Sequence, residues 1–188
     1  MRIIAGEKRG MRLLGPRDIS SRPITDRVKE SLFNILAKYD LPAGSTTADL
    51  FCGVGSLGLE ALSRGAEFVS FVEREPRTIA VLKKNLARFG FSGRWQVSRA
   101  DAFGFTPAPG GFDLVFVDPP YSATADTAAA GPVGRLLANL GEKLDNGAVA
   151  VVRTRKTVRL VDSYGDMRVI ERRSYGSTSL TILMVKQE

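Results

Sequence analysis

The chain contains no histidine and a single cysteine, Cys52. The first absence removes Ser-His-Asp and Cys-His catalysis and the commonest zinc ligand. The second leaves no partner for an intramolecular disulfide and argues against a structural zinc site. No metal is expected. No apolar stretch reaches the roughly 18 residues that a membrane span needs. The opening Met1-Arg2-Ile3-Ile4-Ala5-Gly6 has no apolar signal-peptide core. A cytoplasmic protein with no membrane partner is the expectation, and a monomer the default. Any chemistry must come from carboxylates, hydroxyls, backbone groups or a bound cofactor.

Apolar content and positive charge are present in quantity. The 188 residues are 44% hydrophobic, enough for one α/β domain with a core of its own. The net charge of +7 is unevenly spread. Residues 1–29 carry eight Arg or Lys against three acids, and residues 153–173 carry seven against three. Basic charge gathered at both ends of a near-neutral middle fits a polyanion footprint. It fits ordinary solvated surface as well.

Residues 1–22 are short apolar pieces broken by glycine and arginine. They read as a small hairpin and a loop outside the main core. Val28, Leu32, Ile35 and Leu36 then recur at helical spacing behind a Thr25 or Asp26 cap. Strands follow at 48–51, 68–73, 95–98, 112–118 and 147–152. Helices at 56–64, from Pro76 onward and at 133–144 separate several of them. Repeated β-α-β units predict a doubly wound, mostly parallel α/β sheet. The tail changes character: 167–173 and 179–186 are strands with no helix between them. They add an antiparallel C-terminal strand and bring the sheet to seven. Residues 104–111 and 122–132 read as mobile, the second placed where a substrate lid or a plain connection would lie.

The most telling stretch is Asp118-Pro119-Pro120-Tyr121, which closes the apolar run 112–117. Two prolines fix φ twice and remove two backbone donors while keeping both carbonyls. The result is a stiff corner at the carboxyl end of a strand, where open α/β sheets bind ligands. It presents a carboxylate, carbonyl acceptors and an aromatic face. That surface suits a flat group with an exocyclic NH2, such as a nucleobase. A rigid turn with a packed tyrosine would read the same way.

Gly53-Val54-Gly55-Ser56-Leu57-Gly58 matches G-x-G-x-x-G between a strand and a helix. Glu73 ends the second strand 20 residues after Gly53, where a ribose hydroxyl partner is expected. Asp49 argues against a dinucleotide, because a carboxylate ahead of the glycine loop would repel a pyrophosphate. It would accept an ammonium group instead. Asp101 follows the third strand. Three acids at three successive strand ends describe a site for a cationic nucleoside such as S-adenosylmethionine. Cys52 reads as a small loop residue.

Asp49-Leu50-Phe51-Cys52-Gly53-Val54-Gly55-Ser56-Leu57-Gly58 resembles motif I of class I S-adenosylmethionine-dependent methyltransferases. Asp118-Pro119-Pro120-Tyr121 resembles their motif IV, in the version used on amino groups. Residues 22–34, Arg2-Ile3-Ile4-Ala5-Gly6, Arg9-Gly10 and Tyr175-Gly176 are similar to segments of the bacterial 16S rRNA guanine-N2 methyltransferase family. Ile24 and Cys52 depart mildly from that pattern. The resemblance implies a Rossmann-like class I fold, with an RNA-contacting extension at 1–40 and a cofactor-binding domain at 41–188. It implies methyl transfer from S-adenosylmethionine, giving S-adenosylhomocysteine, to a guanine N2 of 16S rRNA within a small-subunit particle. The catalytic set is then Asp118, Pro119, Pro120 and Tyr121. The cofactor set is Asp49, Phe51, Gly53, Gly55, Gly58, Glu73, Arg74, Asp101 and Ala102. The RNA set is Arg2, Arg9, Arg22, Arg27, Arg173 and Tyr175, with core packing the alternative for Tyr175. The rivals are an adenine-N6 methyltransferase, a silent nucleic-acid-binding protein and an NAD-dependent oxidoreductase.

Overall fold

The computed structural model describes residues 1–15 and 24–186. Eight strands form one sheet: β1 (Thr46–Leu50), β2 (Phe68–Glu73), β3 (Trp95–Arg99), β4 (Leu114–Val117), β5 (Val149–Arg155), β6 (Ser163–Tyr164), β7 (Met167–Tyr175) and β8 (Thr178–Val185). Their order is β3-β2-β1-β4-β5-β8-β7-β6. The first five are mutually parallel, and β8, β7 and β6 are antiparallel to their neighbours. The seven predicted strands are all present. The eighth, β6, has only two residues and folds back on β7. So short a pairing leaves no periodicity to read.

Alternation along the buried strands builds two cores. Phe116 and Val151 face one side, with α1 (Asp26–Leu36), α2 (Ser56–Ser63) and α3 (Pro76–Phe89). Val115, Val117 and Val152 face the other, with α4 (Pro132–Lys143). Each helix starts where its sequence dictates. The Thr25 hydroxyl accepts from Val28 N at the head of α1. Pro76 and Pro132 open α3 and α4, positions at which a missing N–H costs nothing. Val133, Leu136, Leu137 and Leu140 put one stripe of α4 against the sheet. Each such burial is worth about 1.5–3 kcal/mol.

The N-terminal hairpin is not outside the core, as its broken apolar pattern suggested. It is a single bridge, Arg2 with Arg12, but Ile3 is fully buried and Leu13 nearly so, in the same cluster as α1, α2 and α3. Buried charge makes this possible. Glu60 on α2 is wholly enclosed and accepts from Ile4 N at 2.8 Å and Ala5 N at 3.0 Å. It also pairs with Lys29 at 3.2 Å and with Arg64 at 2.8 Å. Lys29 in turn donates to Arg2 O. Burial lowers the Lys29 pKa, and Glu60 opposes that. An acid, a lysine and two backbone amides satisfy one another where apolar packing alone was expected.

The 122–132 segment is anchored rather than loose. Thr124 is fully buried, Thr127 Oγ1 donates to Arg159 O, and the Tyr164 hydroxyl donates to Thr127 O at 2.6 Å. Small residues suit a close approach to α4: a Cβ on Gly134 would stand 2.2 Å from Ala128 O.

Candidate active site

The chain runs outward from β1 to β2 and β3, then returns to lay β4 on the other side of β1. That reversal opens a crevice at the carboxyl ends of the strands, the usual ligand site of such sheets. A groove of about 2380 Å³ lies there. Asp49, Phe51, Glu73, Arg74, Asp101, Ala102 and the whole Asp118–Tyr121 corner line it. Two motifs nearly 70 residues apart thus face each other across β1 and β4, held by Asp118 N donating to Leu50 O.

On the side of the glycine loop, where the sequence predicts a cofactor, backbone amides hold the carboxylates. Asp49 is buried, and its Oδ2 accepts from Gly58 N at 2.8 Å, capping the first turn of α2. Burial pushes its pKa up to about 8; the Gly58 bond opposes this, and the Asp118 and Glu73 charges add to it. Glu73 accepts from Gly53 N at 3.1 Å and from Arg74 N and Glu75 N at 2.9 Å each. Asp101 accepts from Phe103 N at 3.1 Å.

Gly53 sits at φ 56 with open space where a side chain would go, and a Cβ on Gly58 would stand 2.4 Å from the Phe71 ring. The loop can therefore approach a ligand while its helix lies tight on β2. The glycines shape this loop; Cys52, Val54, Ser56 and Leu57 line the groove beside it. Phe51 adopts φ 57, a strained conformation for an aromatic residue, and packs edge-on against Phe103 at 4.7 Å. Cys52 is buried, and burial pushes its thiol well up, against a nucleophilic role.

On the other side, side chains hold the carboxylate. Asp118 Oδ1 accepts from Arg153 Nε at 2.6 Å, with side-chain exposures of 18% and 10%. Burial raises the Asp118 pKa and the Arg153 charge pulls it back, with the net shift upward. Among the described residues, neither Asp118 Oδ2 nor the Pro119 carbonyl accepts a hydrogen bond. The Pro120 carbonyl accepts from Ala123 N. The Tyr121 ring lies near two guanidinium groups, Arg155 at 5.1 Å and Arg153 at 6.0 Å, and its hydroxyl is 3.3 Å from Thr178 Oγ1.

Charge counting includes Arg153 and Arg155 only as surface basicity. The signal that could have found them is register. Val117 pairs with Val152, so the residues that follow, Asp118 and Arg153, come side by side once β4 and β5 are known neighbours.

The proposed RNA contacts divide. Arg27 and Tyr175 line one smaller cavity of about 400 Å³ with Arg153, Ser174 and Ser177, next to the groove. Tyr175 also packs against the core. Arg2 pairs with Asp26 at 2.8 Å, and Arg173 with Glu171 at 2.9 Å. Arg9 sits at the hairpin tip, where Glu7 N and Lys8 N are bonded to Ser63 at the far end of α2 from the glycine loop. Arg22 lies outside the described residues.

Sheet order, switch-point groove and paired motifs define the fold of the class I S-adenosylmethionine-dependent methyltransferases. The solved structure of yhhF from Escherichia coli, provisionally named a methyltransferase, superposes with a TM-score of 0.82 at 28% identity, covering 100% of this chain and 99% of that one. A Salinibacter ruber RNA methyltransferase in complex with S-adenosyl-L-homocysteine shares the fold at 15% identity and a TM-score of 0.64, over 89% of this chain and 95% of its own. The family described as conserved hypothetical protein 95 matches residues 1–184, and this chain belongs to it. YlbH of Bacillus subtilis, provisionally named an rRNA methyltransferase, is 36% identical over 97% of both chains. Ribosomal RNA small subunit methyltransferase D of Escherichia coli is 42% identical over 64% of this chain and 60% of its own length.

Proposed function

We propose that this chain is an rRNA methyltransferase that modifies the exocyclic N2 of a guanine in 16S rRNA, within a small-subunit particle in the cytoplasm. One observation carries the reading: the half-buried Asp118 carboxylate and a stiff di-proline corner face a glycine loop with its own acids across one groove. The named relatives support the rRNA substrate.

The residues fit S-adenosylmethionine. Asp49 is a buried acid whose raised pKa an incoming ammonium would reverse. Gly53 leaves room at the backbone, and Glu73 is held rigid by three amides, ready for ribose hydroxyls. When bound, the cofactor supplies a methyl group already activated on a sulfonium. The chain's task is then position. Asp118 Oδ2 and the Pro119 carbonyl accept the two amine N–H groups and turn the nitrogen lone pair toward the methyl, and Tyr121 stacks on the extruded base. The amine proton leaves after transfer, so the absence of histidine is no obstacle. Residues 1–40 act as an RNA-contacting extension of the 41–188 domain, with Tyr175 near the base and Arg27, in the same small cavity, on phosphate.

Tritium transfer from labelled cofactor to 30S particles and rRNA from a strain lacking this gene tests the reading. Label in N2-methylguanosine is expected. Label in N6-methyladenosine would replace guanine with adenine, and no label on any RNA would overturn the assignment.

A further inference from the structure

Arg153 is enclosed near the carboxyl end of β5, aimed at the one acid that the amine must use. Its Nε lies 2.6 Å from Asp118 Oδ1, and the register of β4 on β5 fixes both partners at the same level of the sheet. Tyr121 packs beside the same guanidinium at 6.0 Å. A pair built only for stability would have no reason to lie in the ligand groove, since replacing a buried pair by apolar residues is often neutral or stabilising. We propose that Arg153 is the positioning residue of this active site: it takes Oδ1 of Asp118, fixes the carboxylate's rotation, and leaves Oδ2 for the target amine. The inference rests on the amino-methyltransferase reading.

Among the described residues, the charged groups around Asp118 are Asp49 on β1 and Arg153 and Arg155 on β5; the titratable Tyr121 stands next to it, and Glu73 lies beyond Asp49. Burial favours the protonated acid, and Arg153 is the cation that opposes it. A protonated Asp118 would keep one acceptor fewer for the amine. Removing Arg153 therefore has two effects. Turnover falls because the carboxylate rotates, and the acid limb of the kcat profile moves up because Asp118 holds its proton to higher pH.

The test compares wild type, Arg153→Met and Arg153→Lys. Arg153→Met is expected to bind S-adenosylmethionine normally, lose about 10–100-fold in kcat, and shift its acid limb up by about 1–3 pH units. Arg153→Lys keeps the charge without the planar fork. Its limb should stay near that of wild type while kcat remains reduced. A loss of kcat in Arg153→Met with an unmoved limb would overturn the proposal, as would wild-type kcat in that variant.

Titration of the Asp118 carboxyl by carbon-13 NMR, assigned through Asp118→Asn, reads the same coupling without turnover. An unchanged Asp118 titration in Arg153→Met would also overturn the proposal. If wild type methylated no RNA, the functional reading would fail while this measurement still decided the Arg153–Asp118 coupling. Should Arg153→Met fail to fold, Arg153→Gln carries both readouts.

Discussion

The two sides of the groove hold their acids by different means. On the β1–β2 side, Asp49, Glu73 and Asp101 all accept backbone amides within 20 residues of themselves. On the β4–β5 side, Asp118 is held by an arginine 35 residues further along the chain. Backbone donors survive every substitution except proline and barely move, so the cofactor side is shaped by local chain geometry. The target side is shaped by side chains that meet only after the sheet assembles, and it can be retuned by one substitution. On the proposed function, one side receives an invariant cofactor and the other one particular base, and a site with those two tasks has reason to be built this way.

Breaking the target side alone gives the largest effect. Asp118→Ala should retain S-adenosylmethionine binding by calorimetry and lose about 100- to 1000-fold in single-turnover rate. Equal loss of cofactor affinity would show that the two sides are not separable.

Breaking the cofactor side comes next. Asp49→Asn keeps an acceptor for Gly58 N but loses the charge, and should weaken S-adenosylmethionine about 10- to 100-fold. Its effect on folding has the opposite sign. Asp49 ionises near its ordinary 3.8 when unfolded and only near about 8 in the fold. The folded state therefore binds the extra proton between those values, and stability from this group is lost as pH rises through that window. Thermal melts of the ligand-free protein should show Asp49→Asn no more stable than wild type at the acid end and progressively more stable toward pH 8 and above. A constant difference at every pH would mean that Asp49 is not the group titrating.

The same contrast explains what could be read in advance. Gly53, Gly55, Gly58 and Glu73 act through spacing along the chain, and spacing is what a sequence displays. The strands were legible because apolar residues run unbroken through buried positions such as Leu114–Val117. Arg153 was visible only as charge, because its function depends on β5 being the neighbour of β4. The N-terminal hairpin was misjudged for a related reason. Ile3 and Leu13 are too few to signal a core, and Glu60 and Asn85, which fix them in place, lie far along the chain. The anchoring of 122–132 rests on Tyr164, also remote.

Asn85 sharpens the comparison from the cofactor side. Fully buried on α3, it accepts from Leu14 N at 2.8 Å and donates to Leu14 O and Val54 O at 3.1 Å each. One amide thus ties the N-terminal segment to the glycine loop. Asn85→Ala leaves buried backbone groups unpaired, at about 1–3 kcal/mol each. A lowered melting temperature and weaker cofactor binding are expected, with kcat at saturating cofactor kept. A fall in kcat with cofactor affinity intact would place Asn85 on the wrong side of the comparison.

The smallest effect belongs to the rim proposed to face RNA. Arg27 lines the minor cavity and is exposed, so its contribution is screened charge rather than fixed geometry. Each phosphate contact removed should reduce the slope of log affinity against log salt by about 1. Arg27→Ala should therefore lower rRNA affinity modestly at low salt, converge on wild type at high salt, and leave S-adenosylmethionine affinity and saturated turnover alone. Arg9→Ala is the control, because its hairpin tip is bonded to the far end of α2 from the groove. If the two variants changed the salt slope equally, the RNA would have to run along the N-terminal edge of the molecule as well as across the groove. If only Arg27 mattered, the footprint would be confined to the mouth of the proposed base pocket, where Tyr175 and Arg153 share the same cavity.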